Sequence, residues 1–203
     1  MVDHVKRREV SYQDVLDAPE HMVAEILDGE LVLSPRPALP HAISTYALND
    51  ELISLRDGDG GGAGGWFFLF EPELHLANDV VVPDLAAWRR ERMPAERTGA
   101  ATPTAPDWVC ETLSSSTQRI DRVKKMPIYA RERVGHVWLL DERVRLLEVY
   151  RLNRTSGGYD LVDAFGEEHV VRAEPFIELE LRLSRLFRDL PTRASEAFVD
   201  YGR

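Results

Sequence analysis

The sequence predicts one α/β (α+β) domain, a central mixed β-sheet flanked by helices, with an N-terminal hairpin and C-terminal antiparallel strands. Three observations predict it. Short apolar runs suited to buried strands stand at Val80-Val81-Val82, Trp108-Val109-Cys110-Glu111-Thr112-Leu113 and His136-Val137-Trp138-Leu139-Leu140. Segments 41–55 and 118–133 read as helices between these runs. The length of 203 residues, 44% of them hydrophobic, is enough for one domain with a real core, and no internal repeat or second domain shows.

The elements follow in chain order. Ser11 is a helix N-cap with Asp14 as its capping-box acid, and Pro19 ends that short helix. Asp28-Gly29 between apolar flanks is a hairpin turn. Pro35, Pro37 and Pro40 read as a stiff connector into a helix from His41, whose apolar positions are Ile43, Ala47, Leu48, Leu52 and Leu55. Segment 57–65, dominated by glycine, reads as a flexible loop and lacks the lysine and following helix of a phosphate-binding loop. Residues 66–76 read as one long strand broken near Pro72, turning at Asn78-Asp79 into the valine strand. A loop runs over 89–106. Pro127 interrupts the helix at 118–133, because it cannot donate to the carbonyl of Val123, so a kink or late start is expected. Segments 144–152, 159–165 and 176–183 complete the prediction as antiparallel strands in the same sheet.

Composition narrows the function classes. A net charge of −10 excludes a general basic coat for polyanions, although Arg119, Arg122, Lys124, Lys125, Arg131 and Arg133 make a local basic patch. The single cysteine, Cys110, excludes an internal disulfide and reads as core. The first ten residues lack the apolar centre of a signal peptide, and no run approaches the roughly 20 residues of a membrane span. The expectation is a cytoplasmic protein with no membrane partner and no organic cofactor.

The chemistry concentrates between Val82 and Lys125. Asp84 follows the valine run and Glu111 lies inside a second apolar run, where an ionised carboxylate costs several kcal/mol unless a cation or hydrogen bonds compensate. Two such acids followed by Lys124 and Lys125 suggest a cation site. The plainer readings are that Asp84 caps a turn and that the lysines form a solvated helix face.

Several segments, taken together and in order over about residues 11–187, resemble the Uma-type family of putative restriction endonucleases in the PD-(D/E)XK nuclease superfamily. They are Glu25-Ile26-Leu27-Asp28-Gly29-Glu30-Leu31-Val32, His41, Val82-Pro83-Asp84, Glu111 to Thr117, Asp121 to Lys125 with Tyr129-Ala130, and Val137 to Asp141. The resemblance implies a restriction-endonuclease-like core and divalent-metal-dependent hydrolysis of DNA. It implies Asp84, Glu111 and the backbone carbonyl of Thr112 as ligands of Mg²⁺, with Mn²⁺ as a substitute. This suits an ion that takes hard oxygen donors and keeps several waters.

One position departs from the superfamily pattern. The usual lysine stands two residues after the second acid, where this chain has Leu113. The Uma-type pattern carries it on the next helix, at Lys125, with Lys124 the neighbouring alternative; on a helix the two point about 100° apart. Asp121 could pair with Lys125, an interaction worth only a few tenths of a kcal/mol if exposed. Glu25 reads equally as a site acid or a surface acid. His41 reads as a capping or surface histidine somewhat better than as a substrate contact. The expectation is an endodeoxyribonuclease acting on DNA with Asp84, Glu111 and Lys125. Its alternatives are a catalytically silent module binding DNA or protein and a hydrolase of another phosphoester. A homodimer would suit cuts on two strands.

Overall fold

The computed structural model describes residues 9–56, 65–93 and 99–190. Nearly all of the glycine-rich loop, part of the loop at 89–106 and most of the first ten residues lie outside them. The capped helix α1 (Tyr12–Leu16) leads to the hairpin of β1 (Met22–Leu27) and β2 (Glu30–Pro35). Asp28 and Gly29 both take positive φ, 52° and 76°, as a tight hairpin turn of the required twist demands. Helix α2 (Leu39–Leu52) begins earlier than expected, because Pro40 sits in its first turn, where a missing N–H costs nothing. Pro40 therefore belongs to the helix and not to a connector.

Among the described residues the expected single sheet is two large sheets and one two-stranded sheet. A five-stranded mixed sheet has the order β2-β1-β5-β4-β7, where β4 is Glu73–Leu76, β5 Asp79–Val81 and β7 Ala101–Thr102. A six-stranded mixed sheet has the order β11-β10-β9-β8-β6-β3, with β3 Trp66–Phe70, β6 Leu85–Arg89, β8 Trp108–Leu113, β9 His136–Asp141, β10 Leu146–Leu152 and β11 Tyr159–Gly166. The long strand expected over 66–76 is thus β3 in one sheet and β4 in the other. Glu71, at φ 43°, and Pro72 make the break, and the chain returns between the sheets at residues 82–84. The Glu71 N–H donates to the Asp84 carbonyl at 3.0 Å and ties the two crossings together. Strand β6 had no counterpart in the sequence reading. The segment 176–183 is also not a strand: only β12 (Val170–Val171) pairs with β13 (Leu181–Arg182), and between them Phe176 packs its ring against Trp66, Trp108 and Trp138.

The six-stranded sheet is the middle layer, and alternation along its strands separates two cores. Trp108, Cys110, Trp138 and Leu140 face Leu48 and Leu52 of α2 and the C-terminal segment. Val109, Leu113, Val137 and Leu139 face the second helical element and the apolar side of the other sheet, including Leu27, Leu74 and Val81. That helical element comprises α3 (Gln118–Ile120), a π-helical turn at Asp121–Lys125, and α4 (Met126–Arg131). The π turn stands near the expected kink and ends two residues before Pro127, which lies in the first turn of α4. No described helix is long and apolar enough to cross a membrane.

Candidate active site

Asp84 stands at the head of β6, where the chain passes from one sheet to the other. The neighbouring strand β8 carries Glu111 and Thr112, and one Asp84 oxygen accepts the Thr112 N–H at 2.6 Å. Its other oxygen meets His41 Nε2 at 2.9 Å. His41 lies on the buried face of α2, not at the surface as favoured from sequence, because Leu48, Leu52 and the Thr45–Thr112 hydroxyl pair seat that face on the sheet.

Glu111 shares its strand face with Val109 and Leu113, so it points into the second core. It is 2% exposed and its oxygens are taken by two helical residues. The Tyr129 hydroxyl donates to Oε1 at 2.5 Å, and Lys125 Nζ lies 3.3 Å from Oε2. The ammonium also donates to the Val82 carbonyl at 3.0 Å and lies 3.1 Å from Glu25 and 3.8 Å from Asp121. Glu25 in turn accepts the Val82 N–H at 2.8 Å and is buried, so its surface reading is corrected. The Asp121–Lys125 pair is buried as well, which removes the solvent screening assumed for it. Lys124 points elsewhere and pairs with Glu30 at 2.5 Å.

The expected basic patch is largely neutralised. Arg122 pairs with Glu148, Lys124 with Glu30, and Arg131 with Asp28, Asp79 and Glu132, while Lys125 is inside. Sequence reasoning also missed Tyr129 and Glu142 as members of the site. The spacing of four puts Tyr129 on the Lys125 face without assigning it a partner; nothing local signals Glu142.

The electrostatics reflect an excess of acid. Burial pushes the Glu111 carboxyl well above its ordinary value; Asp121 and Asp84 add to the shift, while Lys125 and the Tyr129 hydrogen bond oppose it. Burial likewise raises Asp121 to about 6 against the pull of Lys125. Burial alone would lower Lys125, but Glu111, Glu25 and Asp121 outweigh it and hold the ammonium firmly protonated. For His41, burial lowers the pKa and the bond to Asp84, with further help from acidic neighbours, raises it past that loss.

Three carboxylates around one ammonium, with Asp84 in the same cleft, are oxygen donors of the kind a hard divalent cation prefers. Among the described residues no three His, Cys, Asp or Glu side chains converge as a ready metal cluster. To hold such an ion, Asp84 and Glu111 would have to be completed by water and not by a closed protein cage. These groups line a cleft of about 370 Å³ whose walls include His41, Glu142 and Arg143.

Comparison with known proteins agrees with the fold. No curated protein matches the chain. A solved structure described as a putative nuclease belonging to DUF820, from Anabaena variabilis ATCC 29413, superposes with a TM-score of 0.69 at 21% identity, covering 88% of this chain and 98% of that one. At that identity the likeness shows a shared fold. Residues 11–185 match the Uma2 family, described as a putative restriction endonuclease. Spanning most of the two-sheet domain and every acid of the cluster, that match shows that the chain belongs to the Uma2 family of putative restriction endonucleases.

Proposed function

We propose that this protein is a divalent-metal-dependent endodeoxyribonuclease of the cytoplasm, hydrolysing DNA phosphodiester bonds with Asp84 and Glu111 as ligands of Mg²⁺ or Mn²⁺. Lys125 is its cationic residue. The observation that carries the reading is the approach of Lys125 Nζ to within 3.3 Å of Glu111 from the following helix, since the usual lysine position holds the buried Leu113. The backbone carbonyl of Thr112 is the third ligand, as the family resemblance implies.

When bound, the metal would supply Lewis-acid stabilisation of the phosphate and an acidified water. The protein's own groups have separate tasks. Thr112 N–H and His41 fix the Asp84 carboxylate, and the Tyr129 hydroxyl fixes Glu111. Glu25 and the Val82 carbonyl hold the Lys125 ammonium, which offsets charge developing on nonbridging phosphate oxygens or orients the attacking water. A two-fold dimer would present two such sites to opposite strands.

The test is cleavage of supercoiled, linear and branched DNA with Mg²⁺ or Mn²⁺. Wild type should cut, and Asp84→Ala, Glu111→Ala and Lys125→Ala should each lose on the order of a hundredfold or more. Activity surviving all three changes would sink the assignment. One observation favours a silent DNA- or protein-binding module instead: each carboxylate oxygen of Asp84 and Glu111 already has a protein partner. DNA binding without a cut in either metal would support that second reading.

A further inference from the structure

Strand β2 ends in Pro35, and the chain continues through Arg36 and Pro37 toward α2; all three residues line the cleft that holds Asp84 and Glu111. The ring of Pro35 fixes its own φ, and Pro37 keeps the residue before it out of the helical region. The backbone that carries Arg36 is therefore stiff. Its side chain is exposed.

Charge sets this arginine apart. Among the described residues six carboxylates line the cleft, against three cationic side chains, Arg36, Lys125 and Arg143. Lys125 is enclosed by Glu25, Glu111 and Asp121. Arg143 is gripped by both carboxylate oxygens of Asp141, at 3.2 and 2.8 Å, and by Gln118 at 3.2 Å. Arg36 meets no carboxylate among the described residues. Its guanidinium donates to the backbone carbonyl of Glu20 at 3.2 Å, an exposed contact to a neutral acceptor that a charged one can replace.

A DNA strand would bring one negative charge per phosphate to a cleft already rich in acid. A divalent ion at Asp84 and Glu111 would answer the scissile phosphate, and the next phosphate needs a cation of the protein's own. A guanidinium presents N–H donors in a planar fork that matches two phosphate oxygens. We propose that Arg36 is a positioning residue of this cleft, binding the backbone phosphate next to the scissile one and holding the strand over the acids. This rests on the nuclease reading above. Such a contact carries no base information, so Arg36 serves every sequence alike. A purely structural role, bracing the connector against Glu20, predicts the opposite result: lower stability with unchanged affinity.

The experiment measures cleavage kinetics with Mg²⁺ or Mn²⁺, and binding of the same labelled DNA by fluorescence anisotropy, over a salt series. The proteins are wild type, Arg36→Gln, Arg36→Lys and a control, Arg154→Gln, which removes one exposed positive charge from the turn between β10 and β11, outside the cleft. Arg36→Gln should raise KM and Kd about tenfold with kcat and Tm nearly unchanged. It should also flatten the slope of log Kd against log salt by roughly 0.7–0.9, the share of one phosphate contact. Arg36→Lys should keep the slope, because the charge remains, and lose part of the affinity with the fork. Arg154→Gln should match wild type. The inference is overturned by an Arg36→Gln protein with wild-type KM, Kd and salt slope, by an equal loss in Arg154→Gln, or by a lower Tm at unchanged Kd. Wild type that neither cuts nor binds DNA defeats the nuclease reading and this inference with it. Binding without a cut defeats that reading alone, and the salt slope then decides the Arg36 contact.

Discussion

Replacing Lys125 by methionine removes the ammonium held among Glu25, Glu111 and Asp121 while keeping an unbranched side chain of similar size. The ammonium lies 3.1 Å from Glu25 and 3.3 Å from Glu111. At an effective dielectric constant of about 20, each contact is worth about 5 kcal/mol before desolvation is subtracted. Removing one partner from a buried charged network costs about 3–5 kcal/mol net. In a domain of this size each kcal/mol moves Tm by about 2–4 °C, so a fall of roughly 6–20 °C is expected at pH 7. The assay is thermal unfolding with a chelator and then with Mg²⁺ or Mn²⁺. The deficit should narrow at lower pH, where the stranded acids take up protons. Added divalent cation should raise the Tm of the variant more than that of wild type, because binding to the folded state alone stabilises it. A Lys125→Met protein with the wild-type Tm in chelator at pH 7 would refute the reasoning, since the ammonium would then not hold the acids together.

Two other changes probe the same cluster. Tyr129→Phe leaves Glu111 Oε1 without its donor; urea unfolding should show a loss of about 1–3 kcal/mol, and an unchanged midpoint would contradict the bond. Asp121 has a folded-state pKa of about 6 against an ordinary 3.8. Its contribution is therefore fully present below about pH 4 and lost as pH rises through 6, a change on the order of 2–3 kcal/mol. Asp121→Asn should flatten that part of the stability profile measured by urea unfolding from pH 4 to 7, and a slope equal to wild type would count against the buried position.

Local chemistry made part of this protein legible. The Asp28-Gly29 turn needs only two residues able to take positive φ, and both do. Glu111 could be singled out because period-two alternation puts it on a buried face, where a lone acid is costly. The helical spacing of Asp121, Lys125 and Tyr129 likewise survived, even though a π turn runs through it. Where reading failed, the missing information was nonlocal. Residues 66–76 have the composition of a strand throughout, and nothing in it assigns β3 and β4 to different sheets. The apolar positions of α2 said that one side is buried, but not that His41 is on it.

By itself the sequence determined which runs become strands, which acids sit on them, and that a lysine pair follows on a helix. Tertiary structure decided which lysine joins the buried acids: Lys125 meets Glu25, Glu111 and Asp121, while Lys124 turns to Glu30 at the surface. It also brought His41 to Asp84 across 43 residues of chain. The physical reason is that periodicity sets the face an element buries, whereas the partner on that face is chosen by how sheets and helices pack.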